Sequence, residues 1–178
     1  TFKNVVPTGK SIHIALDVSG SMAMGRAGNM QLSPREVSAA MALVTMNVED
    51  NVLITGFTDG IKELNISPKQ RLDDVINSIN RLRFSTTDCS LPMTYSMQKG
   101  MKFDAFVVYT DNETYSGRPH PAEALVNYAK KMNNPSVKLI VCGTTATQFS
   151  IADPKNPNML DVVGFDSNVP SLISEFIK

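Results

Sequence analysis

Apolar positions along this chain follow two rhythms in turn. Short, nearly unbroken apolar runs bounded by polar turns alternate with longer stretches in which apolar residues recur every three or four positions. The first kind predicts strands at residues 11–17, 52–57, 103–109, 137–142 and 159–165. The run 103–109 is almost wholly apolar, which suits a strand covered on both faces. The second kind predicts helices. Val37, Met41, Val44 and Val48, with small Ala40 beside them, share one helical face, and Ser33-Pro34-Arg35-Glu36 opens it. Ser33 is the N-cap, Pro34 takes the first position and Glu36 completes a capping box. Ser67-Pro68 predicts another helix start, with Leu72, Val75, Ile76 and Ile79 facing inward. Further helices are expected at about 89–99, from about Pro119 with Ala122, Leu125, Ala129 and Met132 on the inner face, and at about 169–177.

Asp59-Gly60 is a two-residue hairpin signal. A strand at 61–66 should therefore run antiparallel to its predecessor at a sheet edge. Strands alternating with helices give an α/β, doubly wound, mostly parallel six-stranded sheet with helices on both faces. Residues 1–178 read as a single domain, with 1–10 a polar lead-in and no internal repeat.

Bulk composition narrows the function. Apolar residues make up 42% of the 178 and charged residues 19%, as in an ordinary globular domain. Lys plus Arg and Asp plus Glu each number 17, so the net charge is zero. A strong nucleic-acid binder carries a basic excess, so RNA contact by this piece alone should be weak or local. No run approaches the roughly 20 apolar residues of a membrane span. The chain does not begin with Met and carries no visible signal peptide, which predicts a piece of a longer protein. Cys89 and Cys142 sit among small or apolar residues and are expected to be reduced, partly buried thiols.

The chemistry concentrates in Asp17-Val18-Ser19-Gly20-Ser21, which leaves the end of the first strand as D-x-S-x-S. A carboxylate and two hydroxyls form a hard, all-oxygen cradle suited to Mg²⁺, Mn²⁺ or Ca²⁺ and poorly suited to zinc or copper. Asp111 ends the 103–109 strand. In a sheet of order 3-2-1-4-5-6 the first and fourth strands are neighbours, and ligands bind in the crevice where their connections diverge. Thr87, in the loop before the 89–99 helix, can fold over that crevice. The expected site is Asp17, Ser19, Ser21, Thr87 and Asp111, with Asp17 and Ser19 exposed at the strand end. An open metal position would be left for water or a partner's acidic group.

These residues resemble the metal-ion-dependent adhesion site of von Willebrand factor A domains: D-x-S-x-S, then Thr, then Asp. The resemblance implies that Ser19, Ser21 and Thr87 approach the cation directly, with Asp17 and Asp111 bound directly or through water. It also implies that a partner's acidic side chain completes the coordination. Other runs narrow the likeness. Pro7-Thr8-Gly9-Lys10, Thr87-Asp88-Cys89-Ser90-Leu91-Pro92-Met93, Thr110-Asp111-Asn112-Glu113-Thr114, Leu139-Ile140-Val141-Cys142-Gly143 and Ile151-Ala152-Asp153-Pro154 resemble the C-terminal domain of the Ro autoantigen family. That family implies a cytoplasmic or nuclear ribonucleoprotein that binds small Y RNAs and defective noncoding RNAs, mostly through a helical-repeat ring outside this chain. One departure stands out. Ser85-Thr86 occupy positions where the family often has glycine, which stiffens the loop and leaves Thr86 a rival to Thr87.

Two other functions compete. A phosphohydrolase of the haloacid dehalogenase type also places an Asp after the first strand, but has a second acid two positions later, where this chain has Ser19. A purely structural domain with a vestigial metal site is the other alternative. Elsewhere, His13 reads as a packed, hydrogen-bonded core residue, and His120 as a residue at a helix start, with a rim contact the lesser alternative. Met22, Met24 and Met30 are loop-packing methionines that could line a rim. Lys130 and Lys131 read as a solvated helix face, with a local basic patch shared with Arg118, Lys138 and Lys155 as the alternative.

Overall fold

The computed structural model of the protein describes residues 6–24, 26–27, 31–82, 85–111, 119–143, 151–164 and 168–178. The strands are β1 (Ser11–Asp17), β2 (Asn51–Phe57), β3 (Ile61–Glu63), β4 (Ala105–Thr110), β5 (Lys138–Gly143) and β6 (Met159–Val163). The helices are α1 (Pro34–Val48), α2 (Leu72–Asn80), α3 (Leu91–Lys99), α4 (Pro121–Met132) and α5 (Val169–Ile177), with a short 3₁₀ turn at Ser21–Ala23. They form one six-stranded sheet of order β3-β2-β1-β4-β5-β6. Only β3 runs antiparallel to its neighbour among the described strands, as the Asp59-Gly60 turn predicts.

Side chains alternate across β1 and divide the core. Ile12, Ile14 and Leu16 face a cluster shared with Val37 of α1, Val75 and Ile79 of α2, and Ile173 and Ile177 of α5. Ala15 joins Phe106 and Val108 on the opposite face, against Met93 of α3 and Ala124, Leu125 and Tyr128 of α4. Ile12, Ile14 and Leu16 are each 1% exposed. Burial of each favours folding by about 1.5–3 kcal/mol. Helix α1 starts as its sequence dictates. The Ser33 hydroxyl accepts from the Glu36 N–H at 3.3 Å, and the Glu36 carboxylate accepts from the Ser33 N–H at 2.7 Å.

Several boundaries move. Helix α2 begins at Leu72 rather than at Ser67, because Ser67 and Gln70 bond locally: the Ser67 N–H donates to Gln70 Oε1 at 3.2 Å and the Gln70 N–H to the Ser67 carbonyl at 2.9 Å. Such bonds offer the backbone an alternative to the helix. Strand β3 stops at Glu63, although the Leu64 N–H still reaches the Ile54 carbonyl at 2.9 Å. In α4 the fully buried positions are Pro121, Ala124, Leu125 and Tyr128, while Ala122, Ala129 and Met132 are half-buried. The Tyr128 hydroxyl draws that face inward, donating to the Met101 carbonyl at 2.8 Å and accepting from the Phe103 N–H at 2.7 Å. Strand β6 ends at Val163, and Phe165 lies outside the described residues. Cys89 and Cys142 are buried and free of disulfides, as expected.

Candidate metal centre

Asp17 closes β1 at the C-terminal edge of the sheet, and the chain then turns across that edge. The Val18 N–H donates to the Phe57 carbonyl at 3.0 Å, which holds the turn against β2. The Asp17 carboxylate is fixed from two sides. Its Oδ1 accepts from the Ser19 N–H at 2.8 Å, and its Oδ2 accepts from the Thr110 hydroxyl on β4 at 2.9 Å. The Ser19 and Ser21 hydroxyl oxygens lie 3.1 Å apart. The D-x-S-x-S spacing thus folds back on itself, and its three oxygen-bearing side chains share one turn.

Asp17 and Ser19 are not exposed, contrary to expectation: they are 1% and 5% accessible, while Ser21 is exposed. A strand end in the middle of the sheet is covered by its own turn and by the strands on either side. The consequence is electrostatic. Burial is the main cause that pushes the Asp17 carboxyl up to about 6, with the nearby charge of Asp111 acting the same way. The Ser19 and Thr110 hydrogen bonds pull in the opposite direction without cancelling it. Asp111 follows Thr110 directly and is half-buried, and its charge acts on Asp17 across the β1–β4 pair.

The third segment comes from the loop before α3. The Asp88 N–H donates to the carbonyl of Thr58, just beyond β2, at 2.9 Å. That bond anchors the loop at Asp88 to the residue after Phe57, whose own carbonyl holds the Val18 N–H. Thr87 is buried, whereas Thr86 is exposed. Asp88 Oδ1 is taken up locally, accepting from the Ser90 N–H at 2.9 Å and the Ser90 hydroxyl at 2.7 Å. Gly56 allows the preceding segment to approach, because a Cβ there would lie 2.6 Å from Leu82 Cδ1.

Two contributors escape sequence reasoning. Thr110 looks like one more residue of an apolar strand, and Arg35 like a solvated residue in a helical first turn. Arg35 is 4% exposed, and its Nη2 donates to the carbonyls of Val18 and Ser19 at 3.1 and 2.9 Å. A Pro-Arg pair following an N-cap serine gave no signal of this. The other candidates have their own surroundings. His13 is fully buried between Ser96 and Thr55, and His120 caps α4, its Nδ1 accepting from the Ala122 N–H at 3.3 Å. Met22 is fully buried and Met24 exposed, while Met30, Glu113 and Arg118 lie outside the described residues. Lys138 is spent on the Phe176 carbonyl and ring at the opposite end of β5.

The donor set suits a hard divalent cation. It offers two carboxylates and three hydroxyls with no sulfur or imidazole, and burial disfavours the charged form of its Asp17 carboxyl.

Residues 11–177 match the family model described as the Ro60 vWA domain. The chain belongs to the Ro60 vWA family. The likeness read from the sequence is therefore borne out across nearly the whole domain. Among relatives of this Ro60 vWA chain is the RNA-binding protein RO60 of Deinococcus radiodurans, 44% identical over 178 residues. That match covers 99% of this chain and 33% of the relative, so the chain spans about a third of the relative's length. The crystal structure of the Deinococcus radiodurans RO (RSR) protein superposes with a TM-score of 0.89 at 44% identity, covering 99% of this chain and 36% of that one. Proximal thread matrix protein 1 from the mussel byssus, solved with a zinc-occupied MIDAS motif, shares the fold alone: TM-score 0.59, 14% identity, 97% of this chain and 48% of that one.

Proposed function

We propose that this domain is a non-catalytic, divalent-cation-dependent binding module. Asp17, Ser19, Ser21, Thr87 and Asp111 hold the ion, with Mg²⁺ favoured and Mn²⁺ or Ca²⁺ as alternatives. An acidic group on a partner protein completes the coordination. The observation that carries this reading is the turn itself: a buried carboxylate fixed by Ser19 and Thr110, two serine hydroxyls 3.1 Å apart, and a second carboxylate within electrostatic reach. Hydroxyl donors leave a cation more electrophilic than carboxylates would, which favours capture of an outside anion.

The relative's name supports a place in an RNA-binding protein of the Ro60 kind; small noncoding RNAs as its cargo and the cytoplasm or nucleus as its location are part of the proposal. Zero net charge supports assigning most RNA contact to other parts of that protein. Among the described residues no helix is long and apolar enough to cross a membrane.

Calorimetric titration of Mg²⁺ and Mn²⁺ into the metal-free domain tests the reading, with Asp17→Asn alongside. Binding by the wild type and its loss in the variant are the expected results. Absence of heat in the wild type, even with a small carboxylate present, would sink it. Turnover of a phosphate ester that depends on Asp17 would favour the phosphohydrolase instead.

A further inference from the structure

The D-x-S-x-S turn and the segment leading to Thr87 come from distant parts of the chain, and one buried side chain touches both sides of that junction. The Arg35 guanidinium donates through Nη2 to the Val18 and Ser19 carbonyls and through Nη1 to Asn80 Oδ1 at 2.7 Å. Asn80 is the last residue of α2 and stands seven positions ahead of Thr87. We infer that Arg35 is the positioning residue of this site, tying the turn that carries Ser19 to the end of α2 through one guanidinium.

The geometry suits arginine and no other side chain. A planar fork reaches three acceptors at fixed angles, whereas a lysine ammonium presents a point charge on a flexible stem. Burial lowers the guanidinium from its ordinary value, and the nearby Asp17 carboxylate acts the other way. Glu36, the next residue, does not compete for this role, because its carboxylate is taken by the Ser33 N–H and hydroxyl. Beside the guanidinium lies a cleft of about 240 Å³, lined by Ala23, Ser33, Glu36, Ile76 and Asn80 together with Arg35. That cleft gives a small cation a route to the position Arg35 would vacate.

This inference deepens the proposed metal site, but half of its test does not depend on metal. In metal-free protein, amide hydrogen exchange is compared between wild type, Arg35→Ala, Arg35→Lys and Leu139→Ala, the last being a core substitution far from the turn. The expected result for both Arg35 variants is about tenfold or greater loss of protection at the Ser19 amide and in the last turn of α2, with β4 and β5 unchanged. Leu139→Ala should leave the Ser19 amide as in wild type. In the second half, Mg²⁺ affinity should fall about tenfold in Arg35→Ala and Arg35→Lys. Sub-denaturing guanidinium should restore it in Arg35→Ala, and urea at the same concentration should not. Unchanged exchange at Ser19 in Arg35→Ala, or a loss spread evenly over the sheet, overturns the inference. If the wild type takes no Mg²⁺, the metal reading fails and the exchange comparison alone decides the role of Arg35.

Discussion

Strand β1 buries two polar side chains four residues apart, and they are solved in opposite ways. His13 is closed: its Nδ1 bonds Ser96 Oγ at 2.9 Å, its Nε2 bonds Thr55 Oγ1 at 2.8 Å, and Phe103 and Phe106 pack around the ring. Burial drives its imidazole down to about 3, so it is neutral and fully satisfied inside the protein. Asp17 is equally buried, but its partners leave a different balance. Two neutral donors hold it while a second carboxylate stands nearby, and burial raises it to about 6. Burial alone therefore does not mark a functional residue. The mark is a buried polar group whose environment leaves charge to be balanced from outside, and only the strand's C-terminal end provides one.

The largest effects should separate these two residues. Asp17→Asn keeps an acceptor for the Ser19 N–H while removing the charge. It should cost more than about a hundredfold in Mg²⁺ affinity, given that even outer-shell partners account for 10–100-fold. Thermal unfolding of the metal-free variant at pH 7 should show stability no lower than wild type, because the ionised carboxylate is itself disfavoured there. His13→Ala should do the reverse. It strands the Thr55 and Ser96 hydroxyls beside a new cavity and should cost about 2–4 kcal/mol in denaturant unfolding, with Mg²⁺ affinity held within about twofold. Equal losses in both properties for either variant would erase the distinction.

Titration sharpens the same contrast, with opposite signs. The folded pKa of His13 lies below its unfolded value, so between about pH 6.5 and 3 the unfolded state binds more protons and the His13 contribution is lost as pH falls. The folded pKa of Asp17 lies above its unfolded value, so its contribution is lost as pH rises from about 4 to 6 in metal-free protein. Each slope is at most about 1.4 kcal/mol per pH unit. Subtracting wild type, the stability of Asp17→Asn should rise with pH across 4–6, and that of His13→Gln should fall. Urea unfolding from pH 4 to 7 measures both difference curves, and parallel curves would show that neither group is coupled to folding.

How far the sequence carried this distinction depends on the kind of signal. Strand order was legible because hydrophobic rhythm and one Asp-Gly turn leave few ways to wind six strands. Asp17, Ser19, Ser21, Thr87 and Asp111 could be proposed from sequence because they fall at or beyond strand ends, where nothing in the core requires a polar side chain. Burial was not, since a D-x-S-x-S run reads as an exposed turn until the strands on either side of β1 are in place. Nor were Thr110 and Arg35, which act through atoms brought near Asp17 only by tertiary packing. The start of α2 was misread for a related reason: Ser67-Pro68 has the form of a helix start, yet Ser67 and Gln70 spend their bonds on a local turn.

A smaller effect tests whether the supporting hydroxyls differ as the two buried residues do. Thr110→Val keeps shape but removes the donor to Asp17 Oδ2. It should lower Mg²⁺ affinity about tenfold by freeing the carboxylate to rotate and should cost about 1 kcal/mol of stability. Ser96→Ala takes one partner from His13 and should cost a similar 1–3 kcal/mol, roughly the penalty for an unpaired buried group, with no change in affinity. Paired calorimetry and denaturant unfolding on the two variants would show whether the closed and open networks are separable.

The smallest expected effect is also the one that fixes the ligand loop. Thr86 and Thr87 are adjacent and chemically identical, so composition cannot rank them. Their surroundings do: Thr87 is buried under a loop anchored by the Asp88–Thr58 bond, and Thr86 is exposed. Water competes for a cation more strongly with an exposed threonine than with a buried one. Thr87→Ala should therefore weaken Mg²⁺ binding by about tenfold, whereas Thr86→Ala should stay within about twofold of wild type. The reverse ranking would mean that the loop turns over when the cation binds, presenting Thr86 instead, and that the buried threonine merely packs the loop.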